Sequence, residues 1–181
     1  MAKTFLSLAA VLILSALSRP CCPAGMDPAP MAIASSTETT TVDVPLELAF
    51  KEVRGEGKRR MIAFEDPYCP YCRLLETTLE QVDNVTVYVF LYPVLTADSV
   101  VKARSIWCST DRAIAWREWM LEGKAPTAAG TCTTPIAGVL EFAKRLRVSG
   151  TPTIFFADGR RVSGAISADE IERYLTEAEK Q

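Results

Sequence analysis

Met61-Ile62-Ala63-Phe64-Glu65-Asp66-Pro67-Tyr68-Cys69-Pro70-Tyr71-Cys72-Arg73-Leu74-Leu75 is the stretch on which the reading of this chain turns. The apolar run Met61–Phe64 predicts a buried strand, which feeds by a short turn into a helix starting at the Cys-x-x-Cys. Two cysteines three positions apart at a helix start face the same side and can close a small disulfide ring. Cys69 then sits where free backbone N–H groups and the positive end of the helix dipole favour a thiolate. Pro70 suits the first helical turn, because its missing N–H would have had no partner there. These are the requirements of a redox-active dithiol. The competing readings are a structural disulfide and half of a zinc knuckle. A zinc ribbon wants a second closely spaced Cys pair or His ligands, and the chain has neither.

The 181 residues leave room for one domain of ordinary size plus extras. A net charge of -2 without a basic run gives no electrostatic footprint for nucleic acid. There is no histidine, which excludes His-based triads, His-ligated metals and imidazole bases. No metal or cofactor is expected. Activation of a thiol has to come from helix termini, backbone donors, Lys or Arg.

Lys3 followed by the apolar segment Phe5–Leu17 reads as an export signal, the segment being too short to span a bilayer comfortably. Ala32-Ile33-Ala34 before Ser35 fits small-x-small cleavage, giving a signal peptide over 1–34. Cleavage after Ala24 and an uncleaved membrane anchor are the alternatives. Lipid attachment at Cys21 is disfavoured by Arg19 and Pro20 just ahead of it. Removal of Cys21 and Cys22 with the signal leaves Cys69, Cys72, Cys108 and Cys132, which allow three pairings. A close 69–72 pair would leave 108 with 132, natural to an oxidising compartment.

Residues 35–45 read as a flexible lead. Leu46, Ala49, Phe50 and Val53 fall at i, i+3, i+4 and i+7, which predicts an amphipathic helix. The dithiol helix is expected to reach Val82 with Leu74, Leu75, Leu79 and Val82 inward. Val85–Leu91 reads as a second buried strand. Helices follow over Ala97–Trp107, capped by Thr96, and Asp111–Glu122, with Val100, Val101, Ala103, Ile106, Trp107, Ile114, Trp116, Trp119 and Met120 inward. A further helix runs from Thr134-Pro135 to about Leu146. Thr151-Pro152 at the entrance of an apolar strand demands a special backbone, a cis peptide being one solution. Asp158-Gly159 predicts a hairpin, and Ser167-Ala168-Asp169-Glu170 a capping box for the last helix.

Strand–helix–strand followed by helix–strand–strand–helix, with Cys-x-x-Cys at the first long helix, looks like an α/β thioredoxin fold with a helical insertion over about 96–146. Phe64–Cys72, Ile106-Trp107-Cys108, Cys132 and Val148–Pro152 together resemble the catalytic domain of the periplasmic disulfide isomerases DsbC and DsbG, over 46–181. The resemblance implies an exported thiol:disulfide oxidoreductase of reductase or isomerase type, located in the periplasm. It makes Cys69 the attacking cysteine, Cys72 the resolving one, Thr151-Pro152 the cis-proline loop that meets the client, and Cys108–Cys132 a structural disulfide. The dipeptide Pro70-Tyr71 is closer to the DsbG type than to the Gly-Tyr of DsbC. Partners implied are client proteins with disulfides and a membrane thiol donor of the DsbD kind.

Those relatives carry an N-terminal dimerisation domain, whereas here the ten polar-rich residues Ser35–Val44 precede the first expected helix. A monomer that exchanges disulfides but reshuffles scrambled clients poorly is therefore expected. Rival readings are a non-catalytic chaperone or assembly module on the same scaffold, a monomeric dithiol oxidase, and a metal carrier. An intact Cys69/Cys72 pair argues against a purely passive module.

Overall fold

Strand β3 (Val85–Leu91) is buried at every position, and the sheet is built outward from it. In the computed structural model, which describes residues 43–180, β2 (Arg59–Glu65) lies parallel to β3. Helix α1 (Pro70–Leu79) makes the crossover between them. β1 (Phe50–Arg54) pairs antiparallel on the other edge of β3. β4 (Thr153–Phe156) runs antiparallel beside β2, and β5 (Arg161–Ser163) closes the order β1-β3-β2-β4-β5. α2 (Ala97–Trp107) and α3 (Arg112–Arg117, continued by a π turn over Glu118–Glu122) are inserted after β3. α4 (Ile136–Arg145) then leads to β4, and α5 (Ala168–Ala178) ends the domain. The thioredoxin arrangement is present, extended by β1 at one edge and by the inserted helices. The expected signal peptide, 1–34, and residues 35–42 of the expected lead lie outside the described residues.

Two cores follow from the period-2 alternation of the strands. Met61 and Ala63 on β2 and Val85, Val87, Val89 and Leu91 on β3 face a cluster with α1, α2, α3 and α5. Phe64, Tyr88 and Phe90 face α4, where Phe64 stacks on Phe90 at 4.9 Å between ring centroids and packs against Phe142.

Four expectations are corrected. Residues 46–53 are not a helix: a 3-10 turn covers Leu46–Leu48, and Phe50–Arg54 form β1 with Phe50 and Glu52 inward and Val53 exposed. An open edge of β3 takes the segment as a strand, and a buried carboxylate at Glu52 conceals its alternation. Leu74 is exposed, because the inward face of α1 is Cys72, Leu75, Glu76 and Leu79, and the helix ends there rather than at Val82. Val100 and Val101 are exposed because Ser99 turns α2 inward with Ala103, Ile106 and Trp107. Ile114 is exposed while Ala115, Trp116 and Met120 are buried. Elsewhere the capping boxes at Thr96 and Ser167 and the Asp158-Gly159 hairpin form as the sequence suggests.

Cys108 at the end of α2 and Cys132 ahead of α4 are joined as a disulfide, 24 residues apart in sequence. Closing a loop of that length contributes about 3 kcal/mol in the chain-entropy account. Replacing both residues by serine should lower unfolding stability in urea by about that amount; an unchanged midpoint would show that the loop is held by its other contacts.

Candidate active site

The site begins with the end of β2. Glu65 and Asp66 are both fully buried, and the Asp66 carboxylate is saturated. Its Oδ1 accepts from the Tyr68 N–H and the Ser99 hydroxyl, each at 2.8 Å. Its Oδ2 accepts from the N–H groups of Val94 at 2.8 Å and Leu95 at 3.0 Å. One side chain thereby ties the turn before the dithiol to the loop after β3 and to the start of α2. The turn closes with the Cys69 N–H donating to Asp66 O at 3.0 Å, which places Cys69 as the N-cap of α1 and Pro70 as its first residue. From the insertion, Trp119 Nε1 donates to Pro67 O at 2.6 Å while its ring meets Tyr68 edge-on. Tyr68, Tyr71 and Leu74 are exposed beside the dithiol, as are Val94 and Leu95 on the loop that Asp66 holds.

Both thiols are free and buried, Cys69 at 4% exposure and Cys72 at none. The Thr151–Pro152 peptide is cis and faces them from the entrance of β4, with the Cys69 Sγ 3.2 Å from Thr151 O. The Thr151 hydroxyl is buried and without a hydrogen-bond partner. The environments of the two cysteines differ sharply. A hydrogen bond from the Cys72 thiol brings the Cys69 thiol down to about 5, against the opposing effect of burial. Thr151 and the backbone N–H groups of Cys72 and Tyr71 add to the lowering. Burial pushes Cys72 far up, reinforced by its bond to Cys69 and by the nearby Glu65. Cys69 is thus a thiolate at neutral pH and Cys72 holds its proton, which makes the outer sulfur the better nucleophile of the two.

The structure brings together Cys69, Pro70, Tyr71, Cys72, Thr151 and Pro152. Cys108 and Cys132 lie apart from them as a separate bond. Sequence reasoning missed Glu65, Asp66, Glu76 and Ser99, and placed Trp119 inward without its bond to the backbone of Pro67. The available signal was the pair Glu65-Asp66 directly after a strand that is otherwise apolar. Among the described residues there is no group of three or more Cys, Asp or Glu side chains placed to hold a metal ion.

Residues 46–179 match the family described as thioredoxin-like domain. The chain is 50% identical over 133 residues to the probable thiol:disulfide interchange protein DsbC of Bordetella parapertussis, covering 74% of this chain and 47% of that protein. It is 28% identical over 135 residues to the thiol:disulfide interchange protein DsbG of Pseudomonas aeruginosa, covering 67% of this chain and 53% of that one. The chain therefore spans about half the length of these curated relatives. Among solved structures, a disulfide interchange protein from Neisseria gonorrhoeae superposes with a TM-score of 0.72 at 38% identity, over 76% of this chain and all of that one.

The Cys69 thiol has an ordinary value of 9.0 when unfolded and about 5 when folded. Below about 5 both states keep the proton and Cys69 adds nothing; between the two values the folded state sheds it first. Stability of the dithiol form should therefore rise with pH across that window, relative to a Cys69→Ser variant. Alkylation of Cys69 should show its transition near 5, and Thr151→Val should move it upward. A transition near 9 would remove the stabilisation described here.

Proposed function

Because the chain belongs to the family of thioredoxin-like domains, we propose that it exchanges disulfides with client proteins through Cys69 and Cys72, in the reducing or isomerising direction. The observation that carries the reading is the opposed state of the two sulfurs, an acidic Cys69 at the helix start above a buried, protonated Cys72. The Cys69 thiolate attacks one sulfur of a client disulfide. The client S–S bond breaks, its electron pair leaves on the other client sulfur, and a mixed disulfide remains. Either a second client thiol attacks the client sulfur of that bond, which isomerises the client, or Cys72 attacks Cys69 and releases the client reduced. Thr151 and Pro152 would align the client chain by backbone contacts, flanked by exposed Tyr68, Tyr71, Val94 and Leu95.

Net reduction consumes the dithiol, so a membrane thiol donor of the DsbD kind is the proposed redox partner. The acidity of Cys69 also favours a second reading: a stabilised thiolate makes the disulfide form a good oxidant, as a dithiol oxidase requires. Export to the periplasm is proposed on the strength of the Phe5–Leu17 segment and the Cys108–Cys132 bond. A monomer is proposed because the described domain covers both faces of its sheet with helices, and its exposed apolar side chains near the dithiol suit transient clients.

Cys72→Ser should trap clients as mixed disulfides on Cys69, and Cys69→Ser should abolish capture and insulin reduction. The redox state of Cys69 and Cys72 in cells separates the directions: dithiol supports the reductase or isomerase, disulfide the oxidase. Light scattering of the mature protein should give a single-chain mass, and refolding of scrambled ribonuclease should be weak. A stable dimer with strong reshuffling would overturn the monomer.

A further inference from the structure

The Pro67–Tyr68 peptide, one residue ahead of Cys69, is held at both ends. Its N–H donates to Asp66 Oδ1 at 2.8 Å, and its carbonyl, Pro67 O, accepts from Trp119 Nε1 at 2.6 Å. With both ends fixed its plane cannot rotate, and the Cys69 N–H that follows closes the turn on Asp66 O. A peptide carries its dipole with its plane, so the negative end at Pro67 O stays turned towards the insertion.

Trp119 stands on the π turn Glu118–Glu122, a helix form met frequently at functional sites. Its half-buried ring meets Tyr68 edge-on, and Lys102 of α2 places Nζ over that ring, 3.8 Å from the centroid. A cation over an indole face is attracted by its π density. It draws that density away from the ring nitrogen and strengthens the N–H as a donor, as in other polarised chains. Lys102, Trp119 and Pro67 O thus connect α2 to the dithiol turn. Helix α1 is anchored separately: Trp116 Nε1 donates to Glu76 Oε1 at 2.8 Å, and Arg117 Nη2 to Glu80 Oε1 at 3.0 Å. The helix therefore cannot follow the turn if the turn moves. What Trp119 fixes is the placement of the Cys69 sulfur against the first N–H groups of α1.

We propose that Lys102 and Trp119 are positioning residues that set the redox poise of the Cys69/Cys72 pair. This role rests on the disulfide-exchange reading above and concerns the same site. In exchange with glutathione, the protein pair gives up two electrons as the Cys69–Cys72 bond forms. The S–S bond of oxidised glutathione breaks to take them up, with protons from Cys72 and solvent, and two reduced glutathiones leave. Cys69 bears a charge only in the dithiol form. Whatever stabilises its thiolate therefore favours the dithiol and makes the disulfide a stronger oxidant. The inner thiol, Thr151 and the N–H groups of Cys72 and Tyr71 lower Cys69, and their distances to the sulfur depend on where the turn sets it. The titratable groups that meet Cys69 are Cys72 on α1 and Glu65 at the end of β2, whose carboxyl burial pushes well up. Neither bonds to Trp119, so the two influences can be varied apart.

The test measures the dithiol–disulfide equilibrium against glutathione and the pH profile of Cys69 alkylation in the same variants. Trp119→Phe keeps a ring and removes the N–H. It should move the glutathione equilibrium about tenfold towards the protein disulfide, a potential about 30 mV more reducing, and raise the Cys69 transition above about 5. Lys102→Met keeps the chain and removes the charge, and should shift both readouts in the same direction by less. Lys102→Arg, whose guanidinium also stacks on aromatic faces, should restore them. Lys51→Met, which removes a lysine from above Tyr88 on the other side of the sheet, is the control and should change neither. A merely structural role would lower the urea midpoint and leave potential and transition in place. That result in Trp119→Phe and Lys102→Met would overturn the assignment and leave the exchange reading standing. If Trp119→Phe does not fold, the two Lys102 variants decide it in the same way. An unmutated dithiol that does not exchange with glutathione at all would remove the exchange reading and this role with it.

Discussion

The structure depends on one carboxylate. Asp66 is fully buried at the end of β2, and its two oxygens accept four hydrogen bonds from the dithiol turn, the loop after β3 and α2. Charge-assisted bonds of this kind are individually stronger than neutral ones, and removing the acceptor would leave four donors without it, the Ser99 hydroxyl among them fully buried. The register of β2 against β3 delivers the aspartate to that point, and the turn it fixes sets where α1 begins. The position of Cys69 at the helix start follows from that origin.

From there the chemistry is a matter of one helical turn. Cys69 and Cys72 share a sequence motif but occupy opposite environments. The outer sulfur receives backbone N–H groups, Thr151 and the inner thiol; the inner one meets an apolar core and an acid. An acidic sulfur and a sulfur that keeps its proton are thus distinguished by depth. The inserted helices contribute to the same end, since Trp119 bonds the backbone of Pro67 and Trp116 bonds Glu76.

The strand, turn and helix at the centre were legible in the sequence because each carried a local signal: an apolar run, Pro70 at the first turn, a Cys-x-x-Cys. The same holds for β3, the capped helices α2 and α5, and the Thr151-Pro152 entrance to β4. What was not legible depends on buried acids. Glu52 conceals the alternation of β1, Glu76 takes the inward place expected of Leu74, and Ser99 turns α2 so that Val100 and Val101 face out. Periodicity arguments assign charged residues to the surface, and here the exceptions cluster under the dithiol helix. The sequence signal and the site fail to coincide for that reason: polar groups are buried close to the dithiol helix.

The Cys108–Cys132 bond ties the end of α2 to the segment ahead of α4, and Arg104 and Ser105 bond the loop between them. A domain proposed to exchange disulfides therefore has to receive one. A newly made chain carries four thiols in its described part, and an acidic one in the finished fold, Cys69, belongs to the pair that is left unbridged. Maturation thus needs an outside oxidant that reaches Cys108 and Cys132, with Cys69 kept from bridging to either. In its own biogenesis this protein has to receive a disulfide before it can take up the exchange proposed for it.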